Sequence, residues 1–337
     1  MDILTGFLLV IIAGFFQGTF ILPMTMTKGW KWEHIWGIFS LLGMLVFNWI
    51  LTLIFIPSVF AILTSIPPAD LIILILFGTG WGVGAILFGL GMEKLGMALG
   101  YPIIMGLIAS LGALIPMILF FPASVLTASG FILLIGTANV IVGIIVCSKA
   151  AASKQTKENA SKVNKSSGLS AGLAIAIFAG ILSCFPNVGM AFGNNIIERT
   201  KELGISDTFA SNIVWSLFFT MGFIVNFGYC LSLIIKNKNI KDVIAFNPFK
   251  NLGFGIAMAL MWIGSFYLYG MSAPDLGKWG VVVGWPLFIS LSIVIGNLWG
   301  IWRGEWKDTP SLARSLLNKG LVILIIAVII IALSNLV

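Results

Sequence analysis

Residues 71–91 read LIILILFGTGWGVGAILFGLG. The segment is long enough, at about 20 residues, to cross a hydrocarbon layer about 30 Å thick as an α-helix. Gly80, Gly82 and Ala85 have the G-x-G-x-x-A spacing of a dinucleotide-binding turn, but that turn needs a preceding strand and an amphipathic helix after it. The residues that follow have no polar face. We therefore interpret the glycines as a packing surface of a membrane-spanning helix, from which Trp81 points either to lipid or to a central cavity.

The composition of the whole chain agrees with a membrane protein. Hydrophobic residues make up 59% of the 337 residues and charged residues only 9%, whereas soluble domains carry roughly 25% charged residues. Apolar segments of spanning length recur throughout, which predicts an all-α membrane protein with ten transmembrane helices. The predicted spans are 3–25, 35–56, 71–91, 97–121, 128–148, 168–193, 208–235, 252–272, 280–302 and 315–336.

The basic residues are distributed unequally between the two sides of such a protein. Most of the 19 Lys and Arg residues lie in the loops after odd-numbered helices, and the other side holds only Arg199, Lys201 and Lys278. The positive-inside rule then places the first set of loops in the cytoplasm and both termini outside. The basic charge is thus explained by topology, and no basic patch of the nucleic-acid-binding kind is present.

A polar segment divides the predicted helices into two groups of five. Residues 148–168, SKAAASKQTKENASKVNKSSG, have the composition of a flexible linker. We predict a first repeat over 1–148, a cytoplasmic linker over 149–167 and a second repeat over 168–337. Five helices per repeat invert the second copy, an arrangement typical of secondary transporters. GMEKLGMALGYP at 91–102 is similar to GMSAPDLGKWGVVVGWP at 270–286, which supports the repeat.

Two prolines in matching positions of these segments are candidate gating residues. Pro102 and Pro286 lack the N–H group that a helix requires, so each removes a hydrogen bond from its span. Kinks at equivalent places in two inverted repeats suit gates that open alternately around a central site.

Polar and aromatic side chains inside the spans are candidates for binding a neutral polar solute. Amides pair with hydroxyl groups, and aromatic rings cover apolar faces. On helix 7, Asn212, Trp215, Ser216 and Thr220 form one stripe, which needs a polar partner or a cavity. Taken alone, each residue is better explained as a packing contact between helices or an interfacial anchor. The candidate substrate-binding residues are Gln17, Trp81, Asn187, Asn212, Trp215, Ser216, Trp262 and Tyr269.

Four segments resemble the L-rhamnose/proton symporter family of the drug/metabolite transporter superfamily. They are QGTFILPMTMTKGWKWEHIW (17–36), FGTGWGVGAILFGLGMEKLGMALG (77–100), FYLYGMSAPDLGKWGVVVGWPLF (266–288) and GNLWGIWRGEWK (296–307). The resemblance runs from helix 1 to helix 10. It implies a ten-helix inverted-repeat carrier that moves L-rhamnose, or a similar small neutral sugar, inward with protons.

Proton coupling needs a group that titrates in the transport path. All twelve acidic residues fall in loops or at span ends. Asp275, Glu93 and His34 are the candidate coupling groups, with Glu93 and Lys94 as a possible gate pair. Glu33 is expected to pair with Lys31 or to lie at the surface.

Several alternatives to a proton symporter remain open. They are an uncoupled or sodium-coupled sugar facilitator, an exporter of a neutral metabolite, and a membrane-embedded transferase. A transferase needs acid–base groups or metal ligands, but Glu198 and Glu202 stand beside Arg199 and Lys201 as in a solvated segment. We therefore predict a transporter of the bacterial cytoplasmic (inner) membrane, not an enzyme. We expect no cofactor, no bound metal and no nucleic-acid partner, and we interpret Cys147, Cys184 and Cys230 as core residues.

Overall fold

The computed structural model describes residues 3–155, 169–277, 279–307 and 309–334. Residues 149–155 of the predicted linker continue the preceding helix, and residues 156–167 lie outside the described ranges. The helices, in chain order, are α1 (Ile3–Thr19), α2 (Trp32–Phe39), α3 (Asn48–Phe55), α4 (Val59–Ser65), α5 (Pro68–Phe120), α6 (Ala128–Gln155), α7 (Leu169–Ser183), α8 (Phe185–Phe192), α9 (Asn194–Glu202), α10 (Asp207–Ala210), α11 (Ile213–Asn237), α12 (Ile240–Ala245), α13 (Pro248–Asp275), α14 (Gly280–Trp302) and α15 (Ser311–Ser334).

Within the described ranges, ten helical stretches are long and apolar enough to cross a membrane, which confirms the predicted number. Their ends lie within a few residues of the predicted ones, and the stretch Gly280–Trp302 coincides with its prediction. The exception is the end of α6, which extends to Gln155. Apolar side chains such as Leu76, Ile135 and Ile224 are more than half exposed, as expected of side chains that face lipid.

The longest helix supplies two of these spans. The backbone of α5 is helical over 53 residues, but a Cβ atom on Gly100 would lie 3.2 Å from the carbonyl oxygen of Gly91. Nine residues of a straight helix extend about 13 Å. The chain therefore bends sharply between these two glycines, which separates the span Pro68–Leu95 from the span Gly100–Phe120.

The described chain divides into two compact units. The first contains the residues up to Val83 and Gly189–Asp275, and the second contains Gly84–Val188 and the residues from Leu276 onward. Each unit thus combines helices from both halves of the sequence. The predicted inverted repeat stays a prediction.

In the first unit, α13 packs along α1, and α11 and α13 both pack against α2 and the π-helix Ser40–Phe47 that follows it. Glycines of α5 permit close contact with α11. A Cβ on Gly78 would collide with the backbone of Phe218, and one on Gly82 would lie 2.8 Å from Cβ of Val225. These contacts confirm that the glycines of this segment form a packing surface.

In the second unit, α6 packs along α15, and α14 contacts both helices. Small residues again permit the close approach. A Cβ on Gly143 would lie 2.7 Å from Cγ of Leu324, and a Cβ on Gly320 would lie 2.5 Å from Sγ of Cys147. Helices associate in lipid chiefly through such packing.

Candidate functional site

The junction between α10 and α11 carries the most distinctive polar group of the first unit. Asn212 precedes the first residue of α11 and is fully buried, and so is the neighbouring Ser211. The Ser211 hydroxyl donates to the carbonyl oxygen of Gly270 in α13 over 2.6 Å. This bond ties the junction to α13 near the C-terminal end of that helix.

Three buried polar atoms at this junction have no hydrogen-bond partner in the described chain. They are Oδ1 and Nδ2 of Asn212 and Nε1 of Trp215. A Cβ on Gly270 would collide with Asn212 Oδ1 and lie 3.1 Å from Trp215 Nε1, so the amide and the indole N–H converge on the same glycine. Buried polar atoms are nearly always paired. Such a group of exceptions therefore marks a place where a polar ligand would supply the missing bonds.

Aromatic rings surround this polar group. We call Trp81, Trp215, Phe218, Phe219, Trp262 and Phe266 the aromatic cluster. Phe219 is central, with ring centroids 5.1 Å from Trp215 and 4.7 Å from Trp262. Trp81 stacks on Trp262 at 5.6 Å with an interplanar angle of 20°. Trp81 is only 8% exposed, and its ring packs within the first unit instead of facing lipid.

Asn48, at the start of α3, is one polar partner of the predicted stripe on α11. The Asn48 amide donates to the carbonyl oxygens of Trp215 and Ser216 over 2.9 and 3.3 Å. Tyr267 donates to the carbonyl of Asn48, and its hydroxyl lies 2.6 Å from that of Thr52. Ser216 bonds the carbonyl of Ile213 in its own helix. This part of the stripe joins helices.

The predicted contact Gln17 on α1 meets a serine of α13. The Ser265 hydroxyl donates to Oε1 of Gln17 over 2.8 Å, which joins α1 to α13, the helix that also carries the candidates Trp262 and Tyr269. Tyr269 is fully buried beside Gly270. The first unit therefore contains all the predicted substrate contacts except Asn187.

Asn187 lies in the second unit, in α8. Its amide donates to the carbonyl oxygens of Gly112 in α5 and Val281 in α14, over 2.7 and 2.8 Å. Gly112 stands four residues before Pro116, which has no N–H to offer to it. The Asn187 amide therefore replaces a missing helical donor.

The predicted gating prolines lie in helices of the same unit. Pro102 is inside α5 and Pro286 is inside α14. Trp285, next to Pro286, donates from Nε1 to the carbonyl of Ile108 over 2.8 Å. A Cβ on Gly112 would collide with the indole of Trp285, so this glycine is required for the ring to fit against α5.

The family profile described as L-rhamnose-proton symport protein matches residues 1–336. The chain belongs to this family. The resemblance seen in the four sequence segments is confirmed over nearly the whole chain, as is the expectation of a membrane transporter in place of an enzyme.

Individual family members show the same correspondence. The chain is 26% identical to the L-rhamnose-proton symporter of Cronobacter sakazakii over 96% of this chain and 95% of that protein. It is 28% identical to the symporter of Klebsiella pneumoniae strain 342 over 91% of both chains. It is 27% identical to that of Yersinia pestis over 96% of both chains.

Because the family is named for proton symport, the positions of the candidate coupling groups are of interest. Asp275 is half-buried at the end of α13, and Glu93 is exposed in the bend of α5. His34 is only 2% exposed, and its Nδ1 accepts the backbone N–H of Lys31 over 3.2 Å.

Two expected ion pairs are absent from the described chain. Glu93 and Lys94 are both exposed and form no ion pair. Glu33 was expected to pair with Lys31 or to lie at the surface, and both expectations were wrong. Glu33 is 6% exposed and accepts hydrogen bonds from two asparagines of the second half of the sequence, which no local pattern indicates.

Proposed function

We propose that this chain takes up L-rhamnose, or a similar small neutral sugar, together with protons. The family profile and the relatives are named for L-rhamnose-proton symport, and the chain offers polar and aromatic groups that suit a sugar. The observation that carries the proposal within the chain is the set of unpartnered buried atoms on Asn212 and Trp215.

These atoms match the chemistry of sugar hydroxyls. The Asn212 amide both donates and accepts, the Trp215 indole N–H donates, and a hydroxyl does both. A bound sugar would therefore pair all three atoms beside Gly270. The rings of Trp81 and Trp262 are apolar surfaces for the C–H faces of the sugar, and admission of the sugar would require their stack to open.

The other predicted contacts keep a place in this proposal. Gln17, Ser216 and Tyr269 border the same core of the first unit, and Asn187 belongs to the second. Gln17 Oε1 accepts only the Ser265 hydroxyl in the described chain, which leaves its amide N–H groups for a ligand. Ser216 is a weaker contact because its hydroxyl is already bonded to Ile213.

The transport cycle that we propose is alternating access. In this cycle, two inverted five-helix repeats, 1–148 and 168–337 joined by the linker, open in turn, with Pro102 and Pro286 as flexible points. The chain would lie in a bacterial cytoplasmic (inner) membrane with both termini outside. The same architecture underlies our proposed placement in the drug/metabolite transporter superfamily.

The first experiment is uptake of labelled L-rhamnose into proteoliposomes with and without an inward proton gradient. We expect accumulation above the external concentration only with the gradient. Accumulation driven by a sodium gradient alone, or equilibration without accumulation, would replace proton symport by one of the alternatives. Absence of uptake in folded protein would contradict sugar import.

The variant Asn212→Leu tests the site. It removes two unpartnered polar atoms from a buried position, so we expect the sugar-free protein to become more stable, because each such atom costs about 1–3 kcal/mol. Loss of a sugar hydrogen bond worth about 1.4 kcal/mol should raise the L-rhamnose concentration for half-maximal uptake about tenfold. The measurements are thermal unfolding with and without L-rhamnose, and uptake kinetics.

The matched control is Asn139→Leu. Asn139 is half-buried, and its amide donates only to the carbonyl of Ile135 in its own helix. The control should change neither half-saturation nor the stabilisation by sugar. Unchanged rhamnose kinetics in Asn212→Leu would contradict the proposed site.

A further inference from the structure

Glu33 is a buried carboxylate held by two amides. It lies in the first turn of α2, and its Oε1 accepts from Nδ2 of Asn237 over 2.9 Å and from Nδ2 of Asn239 over 2.7 Å. Asn237 ends α11, and Lys238 after it has a positive φ of 51°. This left-handed residue turns the chain so that both asparagines reach the same carboxylate.

The side-chain oxygen of Asn239 can accept a hydrogen bond but receives none in the described chain. Asn239 is 6% exposed, and its Oδ1 is buried without a partner in the described chain. An ionised carboxylate can only accept hydrogen bonds and cannot pair with this oxygen. A protonated carboxyl can, because its O–H group is a donor.

The amide of Asn239 is therefore suited to both states of Glu33. In the ionised state, its N–H group donates to Oε1, as observed. In the protonated state, the same bond remains possible, and the new O–H group can donate to Oδ1, which completes a two-bond acid–amide pair. No other group needs to change protonation, since uptake of one proton forms one O–H bond and its release breaks it.

We propose that Glu33 binds and releases the coupling proton, with Asn239 Oδ1 as the acceptor for the protonated carboxyl. This inference rests on the proposed proton symport. Unlike the candidate Glu93, which is exposed, Glu33 is buried among groups whose hydrogen bonds its protonation would change.

The surroundings of Glu33 contain further ionisable groups. Its own segment carries Lys31 and His34. Others lie near this end, on the helices that pack against α2 and on the segments that follow those helices. They are Cys230, Lys236, Lys238, Lys241, Asp242 and Lys250. The lysines are exposed, and none of them forms an ion pair with Glu33 in the described chain. Within the described chain, the carboxylate is therefore held by the two amides and not by an ion pair with a lysine.

The position of Glu33 links its protonation to the opening of one end of the first unit. Next to it, the Trp30 indole donates to the carbonyl of Val243 over 3.2 Å, and the Asn251 amide donates to the carbonyl of Lys28 over 3.0 Å. These bonds and the Glu33 bonds close the α1–α2 loop onto the turns around α12. When this end opens, Glu33 comes into contact with water, where its proton can leave.

The test is Glu33→Gln in proteoliposomes, with L-rhamnose as the probe. Glutamine has the shape of a protonated glutamate but cannot release a proton. We expect exchange of labelled for unlabelled L-rhamnose to persist and accumulation driven by the proton gradient to be lost. The matched control is Glu202→Gln, a glutamate exposed to 64% and paired with Arg199, which should keep both activities.

The outcomes separate this inference from the proposed function. If the unchanged protein fails to accumulate L-rhamnose with the gradient, the proposed function fails. If it accumulates the sugar and Glu33→Gln does too, only this inference is overturned. Loss of both exchange and accumulation in folded Glu33→Gln also overturns it.

Glu33→Asp provides a second test in case Glu33→Gln does not fold. It keeps a titrating carboxyl but withdraws it by one methylene from the asparagines. We expect accumulation to persist with a shifted pH for half-maximal uptake, while Glu202→Asp leaves that pH unchanged. An unchanged pH profile in Glu33→Asp overturns the inference.

Discussion

At the scale of single residues, buried asparagines decide which backbone groups are satisfied. Asn48 bonds carbonyls of α11, and Asn226 receives the indole N–H of Trp36 over 3.1 Å. Asn187 bonds the carbonyl of Gly112, which Pro116 leaves without its helical donor. Asn212 differs from them because its amide has no partner in the described chain. This contrast distinguishes structural asparagines from the candidate ligand contact.

Asn187→Leu tests the structural class. The change leaves the buried carbonyl of Gly112 without its side-chain donor and removes a part-buried bond to Val281, so we expect thermal unfolding in detergent to show a loss of about 1–3 kcal/mol. Pro116→Ala supplies a backbone N–H to Gly112. We therefore expect Asn187→Leu to cost less in a Pro116→Ala background than in the native chain.

Asn139 again supplies the control, because Asn139→Leu breaks a bond only within α6. An equal cost of Asn187→Leu in both backgrounds would show that the Asn187 amide does not substitute for the missing proline donor.

At the scale of helices, prolines and glycines determine where segments bend and where they touch. Pro286 denies the carbonyl of Val282 its helical partner. By contrast, Pro68 stands at the first position of α5, where no intrahelical bond is lost. Proline therefore removes a hydrogen bond inside α14, whereas at the start of α5 it removes none.

Pro286→Ala and Pro102→Ala test the gating role. Restoring the missing N–H stiffens each helix, so we expect the rate of rhamnose exchange to fall several-fold while rhamnose affinity is retained. Exchange kinetics and equilibrium binding measure the two quantities separately. Pro68→Ala is the control and should alter neither. An unchanged exchange rate in both variants would remove the prolines from the gating mechanism.

At the scale of the whole molecule, the distribution of basic residues predicts the orientation. The loop between α9 and α10 should lie outside, and the turn before α12 should lie in the cytoplasm. All three native cysteines are buried, so they give little background in labelling experiments.

Single added cysteines test this orientation in intact bacteria. Leu203, which is 43% exposed, and the exposed Lys241 are suitable positions. We expect an impermeant maleimide to label Leu203→Cys from outside and Lys241→Cys only after permeabilisation. The parent chain is the control. The reverse pattern would place both termini in the cytoplasm.

The amino-acid sequence alone determined the membrane class, the ten spans and the family, because these depend on local properties. A bilayer of fixed thickness requires about 20 apolar residues in succession, and that run is visible without any partner. For Gly280–Trp302, even the first and last residues of the helix follow from this apolar run. The glycine packing surface around Gly78 and Gly82 was likewise readable from composition.

Only the tertiary structure decided which polar groups meet. Ser265 and Gln17 are 248 residues apart, and Asn239 and Glu33 are 206 apart, so no local pattern could pair them. Helical spacing put Asn212, Trp215 and Ser216 on one stripe but could not tell that Ser216 is bonded while the Asn212 amide is unpartnered. The physical reason is that a hydrogen bond is satisfied by proximity in space, whereas hydropathy and periodicity act along the chain.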